Sequence, residues 1–260
     1  MLALEDIHVR YGKHSVLKGV TATGFTPGSI TGLLGPNAAG KSTLVKTIAG
    51  IQGASSGTCH ITHNGEALTG SARREAIGYV PQDLLSSASL TAFESILVAA
   101  RRSSSAQVSI NGTSPAKAAQ ERAAAVMGRL GITHLASCHV HQLSGGQRQL
   151  VAVGQMLVRE PEVLLLDEPT SALDLRHQVE LLQLIGREVR RNDSVALIAI
   201  HDLNLAARYC DRLIVLHQGC LKAQGQPAEV LTPDLLEEVY GLRAKVLDDD
   251  GTPVICPVEE

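Results

Sequence analysis

The chain has 260 residues and a formal net charge of −3, with 44% hydrophobic and 19% charged residues. These values suit a globular protein of one large or two modest domains, and no apolar run approaches the roughly 18 residues of a membrane-spanning helix. Lys and Arg are scattered, which disfavours a nucleic-acid-binding role. Glu5 and Asp6 near the start are unlike a secretory signal, so we expect a cytoplasmic protein.

The N-terminal part of the sequence predicts a small antiparallel sheet and then a strand, loop and helix unit. Apolar residues nearly alternate over residues 2–9, and glycines over residues 2–31 supply turns between short strands. The apolar segment ITGLL at 30–34 predicts a buried strand that enters a glycine-containing loop. A helix is expected from about residue 42 to 49, where Gly50 ends it.

The middle of the sequence predicts an inserted helical subdomain. After a strand at 77–80, helical patterns follow in TAFESILVAARR, AKAAQERAAAVMGRL and QRQLVAVGQMLVRE. Between the first two of these patterns, residues 101–115 are rich in Ser and turn-forming residues and predict a surface loop.

Residues 163–217 return to alternating strands and helices, with one helix expected over about 175–190. This alternation indicates parallel strands joined by right-handed crossovers. The segment LIVLHQGCLKAQG then predicts a hairpin with Gln218 and Gly219 at its turn.

The segment GPNAAGKS fits the phosphate-loop pattern GxxxxGKS and lies between a predicted buried strand and a helix, the context that the pattern requires. Its glycines and the amides at the helix start suit phosphate groups. We expect Lys41 to neutralise the outer phosphates and Ser42 to bind Mg²⁺. The predicted nucleotide-binding residues of this loop are Gly35, Pro36, Asn37, Ala38, Ala39, Gly40, Lys41, Ser42 and Thr43. The loop alone leaves open whether the nucleotide is ATP or GTP.

The segment VLLLDEPT places Asp167 and Glu168 at the carboxyl end of a predicted buried strand, where parallel strands meet a ligand crevice. We assign Asp167 to the metal ion. We assign Glu168 to orienting and deprotonating the attacking water, a role worth roughly 10² to 10⁴ in rate. Two solvated acids at a strand end are the alternative, which the neighbouring phosphate loop weakens. Asp174 is placed to cap the next helix.

The segment LSGGQRQ at 143–149 forms a second helix start that suits an anion, although a single phosphate site needs only one such helix start. With this signature between the phosphate loop and the Asp-Glu strand, the chain resembles the ATP-binding cassette (ABC) ATPase family over about residues 1–243. The resemblance implies an α/β fold: a P-loop NTPase (RecA-like) core with a mostly parallel sheet, a small N-terminal antiparallel β-subdomain and an inserted α-helical subdomain.

The resemblance also implies a division of the chain. The core and β-subdomain take up about residues 1–82 and 156–243, and the helical subdomain about 83–155. Residues 244–260, with the acidic run DDDG, are expected to be a solvated C-terminal tail.

In the ABC family the signature faces the nucleotide of the other cassette, so the resemblance implies ATP and Mg²⁺ as ligands and a homodimer closed around two ATP molecules. Four signature residues would act across that interface, namely Ser144, Gly145, Gly146 and Gln147. Asp174 would help couple the two sites. Gln82 in YVPQ resembles the switch glutamine that senses the γ-phosphate and the metal ion, and His201 resembles the switch histidine.

Tyr11 matches the family's aromatic residue that stacks on adenine, and a tyrosine packed at the edge of a strand is the alternative. Ala38 and Ala39 depart from the small residues, often glycines, of the family's phosphate loop. Cys138, His139 and His141 are not predicted to bind a metal ion, because adjacent ligands rarely converge on one ion.

VPQDLLSSASLTAFE, SALDLRHQ and HDLNLAARYCDR look most like motor subunits of bacterial importers for iron-siderophore, ferric citrate, haem and cobalamin. This likeness implies two copies on the cytoplasmic face of the membrane under two permease subunits, with an extracytoplasmic binding protein that delivers the cargo. Residues from about Asp83 to Ser95 would contact the permease. Another transporter class or a soluble ABC ATPase remains an alternative, and the cargo stays open.

Overall fold

The computed structural model describes residues 1–63, 65–84, 89–102 and 114–258. In chain order the strands are β1 (Leu2–Tyr11), β2 (His14–Phe25), β3 (Ser29–Leu34), β4 (Ser56–His63), β5 (Glu66–Ala67), β6 (Ile77–Val80), β7 (Val163–Asp167), β8 (Val195–Ala199), β9 (Arg212–His217), β10 (Cys220–Gly225), β11 (Ala244–Asp249) and β12 (Thr252–Pro257). The α-helices are α1 (Lys41–Ile48), α2 (Gly70–Ala76), α3 (Ala92–Arg101), α4 (Pro115–Arg129), α5 (Gly145–Leu157), α6 (Leu175–Asn192), α7 (Leu203–Tyr209), α8 (Pro227–Val230) and α9 (Pro233–Tyr240).

A mostly parallel sheet carries the phosphate loop. Over the described residues its order is β10-β9-β3-β8-β7-β6, and only the edge strand β10 runs antiparallel, to β9. Strands β3, β7 and β8 are buried along their whole length, as expected for apolar runs covered on both faces. The carboxyl ends of β6, β7 and β8 therefore meet at one edge of the sheet, beside the loop that follows β3.

The N-terminal antiparallel sheet has the order β2-β1-β4-β5 in the described part of the chain. Its strands are longer than predicted, because Gly19 and Gly24 lie inside β2 with positive φ angles and do not end it. The pairing of β1 with β2 shifts register at several points, so β2 bends without stopping. The inward apolar residues of β1 form one core with α1, which places this sheet directly against the phosphate loop.

Helices α3, α4 and α5 pack together through small and aliphatic side chains such as Ile96, Ala123 and Val153. A capping box between Thr91 and Glu94 starts α3, and Ser114 caps α4. The surface loop predicted at 101–115 has its residues 103–113 outside the described range. The helices confirm the predicted helical insertion, whereas its bounds at about 83–155 stay an interpretation.

The C-terminal segment differs from the expected solvated tail, because β11 and β12 form an antiparallel hairpin. Ile255 is 6% exposed, and its backbone N–H donates to Asn204 Oδ1 at 2.8 Å while its carbonyl accepts from Asn204 Nδ2 at 3.3 Å. The acidic run forms the hairpin turn, where the Gly251 N–H donates to Asp248 Oδ1 at 3.0 Å. The charges therefore mark a turn between two strands, one of which packs against α7.

None of the helices in the described ranges is long and apolar enough to cross a membrane.

Candidate nucleotide-binding site

The phosphate loop joins β3 to α1 in a tightly packed conformation. Gly35 and Gly40 have φ angles of 142° and 103°, and Ala38 is also left-handed at 62°. A Cβ at Gly35 would lie 2.2 Å from the Leu216 carbonyl oxygen, and one at Gly40 would lie 2.7 Å from Leu17 Cδ2. Only glycine fits at these two positions. Ala38 adopts its conformation at a cost of roughly 1–2 kcal/mol.

Lys41 begins α1 and turns its side chain back over the loop. Its ammonium donates to the Gly35 carbonyl at 2.7 Å and to the Pro36 carbonyl at 3.2 Å. Burial lowers the pKa of Lys41, and the negative charges of Glu168 and Asp167 oppose that shift. A buried cation held inside the loop suits the outer phosphates of a nucleotide.

Asp167 ends β7 with its carboxylate next to Ser42. The Ser42 hydroxyl donates to Asp167 Oδ1 at 2.9 Å, and Asp167 is 1% exposed. Within the described residues Asp167 Oδ2 is buried and lacks a hydrogen-bond partner. Burial raises the pKa of Asp167, and the Ser42 hydrogen bond opposes the rise. A buried carboxylate oxygen without a partner, beside a hydroxyl, is the kind of oxygen set that fits Mg²⁺.

Glu168, Gln82 and His201 meet although they follow three different strands. Glu168 Oε1 lies 2.5 Å from His201 Nε2, and Gln82 Nε2 donates to Glu168 Oε2 at 2.7 Å. The Glu168 side chain is only 11% exposed, and its φ angle of 52° is left-handed. Because both carboxylate oxygens are held, the side chain has one fixed direction next to Lys41 and Ser42, with which it lines one cleft.

The signature segment forms the start of α5. The Ser144 hydroxyl accepts from the Gln147 N–H at 3.3 Å, and Gln147 Oε1 accepts from the Ser144 N–H at 3.0 Å. A Cβ at Gly146 would lie 2.7 Å from Leu173 Cδ2, so the signature packs closely on the segment that follows Glu168. Ser144 is exposed, while Gly145 is half-buried.

Asp174 caps α6, as its position predicted. Its carboxylate accepts from the His177 N–H at 2.9 Å and contacts His177 Nδ1 at 2.7 Å. These hydrogen bonds lower the pKa of Asp174.

A cleft of about 940 Å³ surrounds the phosphate loop. Of the described residues, those that line it are His14, Ser15, Val16, Lys18, Asn37, Ala38, Ala39, Gly40, Lys41, Ser42, Thr43, Gln82, Glu168, His201 and Gln218, and they include neither the signature nor Asp174. Tyr11 lies beside this set, 47% exposed at the end of β1 and paired with His14. Its stacking role stays a prediction.

One wall of the cleft, formed by the start of β2 and by Gln218, was not predicted from the sequence. The predicted stacking role of Tyr11 was a signal for the nearby residues His14 to Lys18. Gln218 was predicted as a turn residue, but its place in the cleft depends on a contact between distant segments. Near Cys138, the rings of His139 and His141 stack on each other with centroids 5.5 Å apart.

A phosphate loop, a carboxylate pair at a strand end and a switch-like Gln and His on one mostly parallel sheet define a P-loop nucleotide hydrolase. The chain belongs to the ABC transporter family, whose model matches residues 17–171. This confirms the resemblance seen in the sequence and identifies the chain as an ATP-binding cassette with ATPase activity.

Curated relatives match the chain over nearly its full length. It is 38% identical to the ferric enterobactin transport ATP-binding protein FepC of Escherichia coli (strain K12) over 98% of this chain and 93% of that protein. It is 39% identical to the hemin import ATP-binding protein HmuV of Pseudomonas aeruginosa over 98% of this chain and 99% of that protein.

Solved structures support the same fold. The cbiO1 protein from Clostridium perfringens, part of the ABC transporter complex cbiONQ, is 30% identical with a TM-score of 0.73, over 91% of this chain and 92% of that chain. An inward-facing putative metal-chelate type ABC transporter has a TM-score of 0.80 at 24% identity, over 100% of this chain and 98% of that chain, and this likeness concerns the fold alone.

Proposed function

We propose that the chain is the ATP-hydrolysing motor subunit of a bacterial ABC importer for iron-siderophore, haem or cobalamin-type cargo. The observation that carries the hydrolytic part is the placement of Glu168, held on both oxygens by His201 and Gln82 at the mouth of the phosphate loop. The names of FepC and HmuV support an importer of iron-containing cargo.

Binding of ATP rests on the loop between β3 and α1. The loop amides and Lys41 hold the phosphates, and Lys41 exchanges its present carbonyl partners for phosphate oxygens. Ser42, Gln82 and Asp167 would hold Mg²⁺, and Asp167 Oδ2, which has no hydrogen-bond partner among the described residues, is the available oxygen. When bound, Mg²⁺ neutralises the charge that develops on the phosphate oxygens.

Hydrolysis rests on Glu168. Its carboxylate orients a water molecule toward the terminal phosphate and accepts the proton that this water loses. His201 and Gln82 fix the two oxygens, so the carboxylate points in one direction and little reorientation precedes the reaction. His201 and Gln82 are therefore positioned to report on the bound phosphate.

A homodimer completes the site. The signature residues of Ser144 to Gln147 lie outside the cleft of their own chain, and the exposed Ser144 and the start of α5 would face a second cassette. Asp174 lies close to the segment that packs on Gly146 and is proposed to couple the two sites.

The proposed permease contact lies from about Asp83 to Ser95, of which residues 85–88 are outside the described range. A cleft of about 770 Å³ borders this segment and is lined in part by Asp83, Leu84 and Ser95. Its exposed Ile51 and Val98 offer apolar surface, as a protein interface requires. The chain would sit at the cytoplasmic face of the membrane under two permease subunits, and a substrate-binding protein would deliver the cargo outside.

The experiment is an uptake assay in cells whose own copy of the gene is replaced by the native sequence, by Glu168→Gln or by Glu160→Gln. Labelled iron-siderophores, haem and cobalamin are offered separately. If uptake of one cargo is lost in Glu168→Gln cells and kept in Glu160→Gln cells, the result supports the importer and identifies its cargo. Unchanged uptake of all three, with ATPase activity intact in the native protein, would favour another transporter class or a soluble ABC ATPase.

A further inference from the structure

The turn between β9 and β10 forms hydrogen bonds with both walls of the nucleotide cleft. The Gly219 N–H donates to the Ala39 carbonyl of the phosphate loop at 3.2 Å. The Gly219 carbonyl accepts from the Lys18 N–H of β2 at 2.9 Å. Gln218, the other turn residue, lines the cleft. One turn is thus hydrogen-bonded to both the phosphate loop and β2, and both of these segments line the cleft.

Gly219 leaves no room for a side chain between these segments. A Cβ there would lie 2.1 Å from the Val16 carbonyl oxygen of β2, and its φ angle is 83°. The phosphate loop also lies close to β2, since a Cβ at Gly40 would lie 2.7 Å from Leu17 Cδ2 and 3.4 Å from the Val16 carbonyl oxygen. The turn therefore meets β2 backbone to backbone and is hydrogen-bonded to the loop, so a side chain at Gly219 must push the turn away from β2.

We propose that the Gln218–Gly219 turn holds the phosphate loop against β2 and sets the width of the cleft, with Gly219 as a positioning residue for ATP binding. This inference rests on the proposed placement of ATP in the cleft. The amides that surround the phosphates belong to the loop, so a shift of the loop away from β2 weakens nucleotide binding. Glu168 and His201 follow β7 and β8 and do not belong to the turn, the loop or β2. The turnover rate of bound ATP should therefore change much less than its binding.

The chain contains a matched control for this substitution. Gly251 occupies the turn of the C-terminal hairpin with a φ angle of 84°, and Asp250 before it has 49°, close to the 51° of Gln218 before Gly219. Among the described residues, no heavy atom lies within 4 Å of a Cβ placed at Gly251. Gly251→Ala therefore imposes the same backbone strain as Gly219→Ala without forcing other segments apart.

The test uses the purified full chain and its Gly219→Ala and Gly251→Ala variants. We would measure kcat and KM for ATP hydrolysis, and the dissociation constant of trinitrophenyl-ATP by fluorescence. For Gly219→Ala, KM and the dissociation constant should rise on the order of tenfold while kcat changes by less than about twofold. Gly251→Ala should match the native protein. Native values in Gly219→Ala, or equal changes in both variants, would overturn the inference.

A second pair of variants separates backbone strain from crowding. Asn accepts the left-handed conformation more readily than Ala, so Gly219→Asn should fold better while its Cβ still meets Val16. We expect the same weakened binding in Gly219→Asn and native binding in Gly251→Asn. In the native protein, ATP should also slow hydrogen exchange in peptides that contain Lys18 or Gly219, and unchanged exchange in both would contradict the proposed contact.

Lys41→Ala, measured in parallel, distinguishes this inference from the proposed site. If Lys41→Ala binds trinitrophenyl-ATP as well as the native protein, the placement of the nucleotide is wrong and the inference falls with it. If Lys41→Ala loses binding while the Gly219 variants keep it, the inference alone is wrong.

Discussion

Replacing Glu168 by Gln should abolish turnover and leave ATP binding intact. His201 Nε2 lies 2.5 Å from Glu168 Oε1, and Gln82 donates to Oε2 at 2.7 Å. Gln has the same shape as Glu and its amide oxygen still accepts from Gln82, but an amide cannot take the proton of the attacking water. The loss of a general base predicts a fall in kcat of about 10² to 10⁴. This corresponds to roughly 3–5 kcal/mol of transition-state stabilisation.

The assay is phosphate release by the purified chain at saturating ATP, together with the dissociation constant of trinitrophenyl-ATP. Glu160→Gln is the matched control, because Glu160 has the same φ angle of 52° as Glu168 and lies outside the residues that line the cleft. It should keep native kcat. A kcat of Glu168→Gln within about threefold of native would refute the assignment of the base. With ATP, this variant should also elute as a dimer in gel filtration.

Three further outcomes follow from the geometry. Lys41→Ala should weaken trinitrophenyl-ATP binding at least about tenfold, whereas Lys46→Ala, at the other end of α1, should change it less than about twofold. Ile255→Ala should lower the free energy of unfolding by about 2 kcal/mol in urea titrations, and Leu247→Ala, 53% exposed on the same hairpin, by less than about 0.5 kcal/mol. Burial raises the pKa of Asp167, so the charged carboxylate destabilises the folded protein. This loss in the free energy of unfolding begins as the pH rises above the usual carboxyl pKa and is complete above the raised pKa. Asp167→Asn should therefore increase the free energy of unfolding at neutral pH but not at pH 3. The same variant should lose Mg²⁺-dependent hydrolysis. Equal stability of the variant and the native protein at neutral pH would contradict the stability prediction.

Local motifs accounted for much of the fold and the candidate site. The phosphate loop, the Asp-Glu strand end and the signature each combine a short pattern with a strand or helix boundary, and such boundaries depend on nearby residues. The hairpin turn at Gln218 and Gly219 was predicted for the same reason. Asp174 was predicted as a helix cap, and its carboxylate accepts from the His177 N–H.

Longer-range features could not be predicted from the sequence, because they depend on contacts between distant segments. The sequence predicts a solvated end for the acidic run near the C-terminus, but its flanking strands pair as a hairpin in which Ile255 is buried and Asn204 forms hydrogen bonds to the Ile255 backbone. Gly19 and Gly24 are predicted to form turns, yet the pairing of β2 with β1 keeps both glycines inside one strand.

The sequence by itself identified the candidate groups for phosphate and metal binding and the candidate base, because these candidates are residue types at fixed spacing. Only the tertiary structure decided that Gln82, Glu168 and His201 share one hydrogen-bonded cluster. It also decided that Gly219 lies between the phosphate loop and β2. These contacts join strand ends that are far apart in the chain, and the order of strands in the sheet, which no local pattern encodes, brings them together.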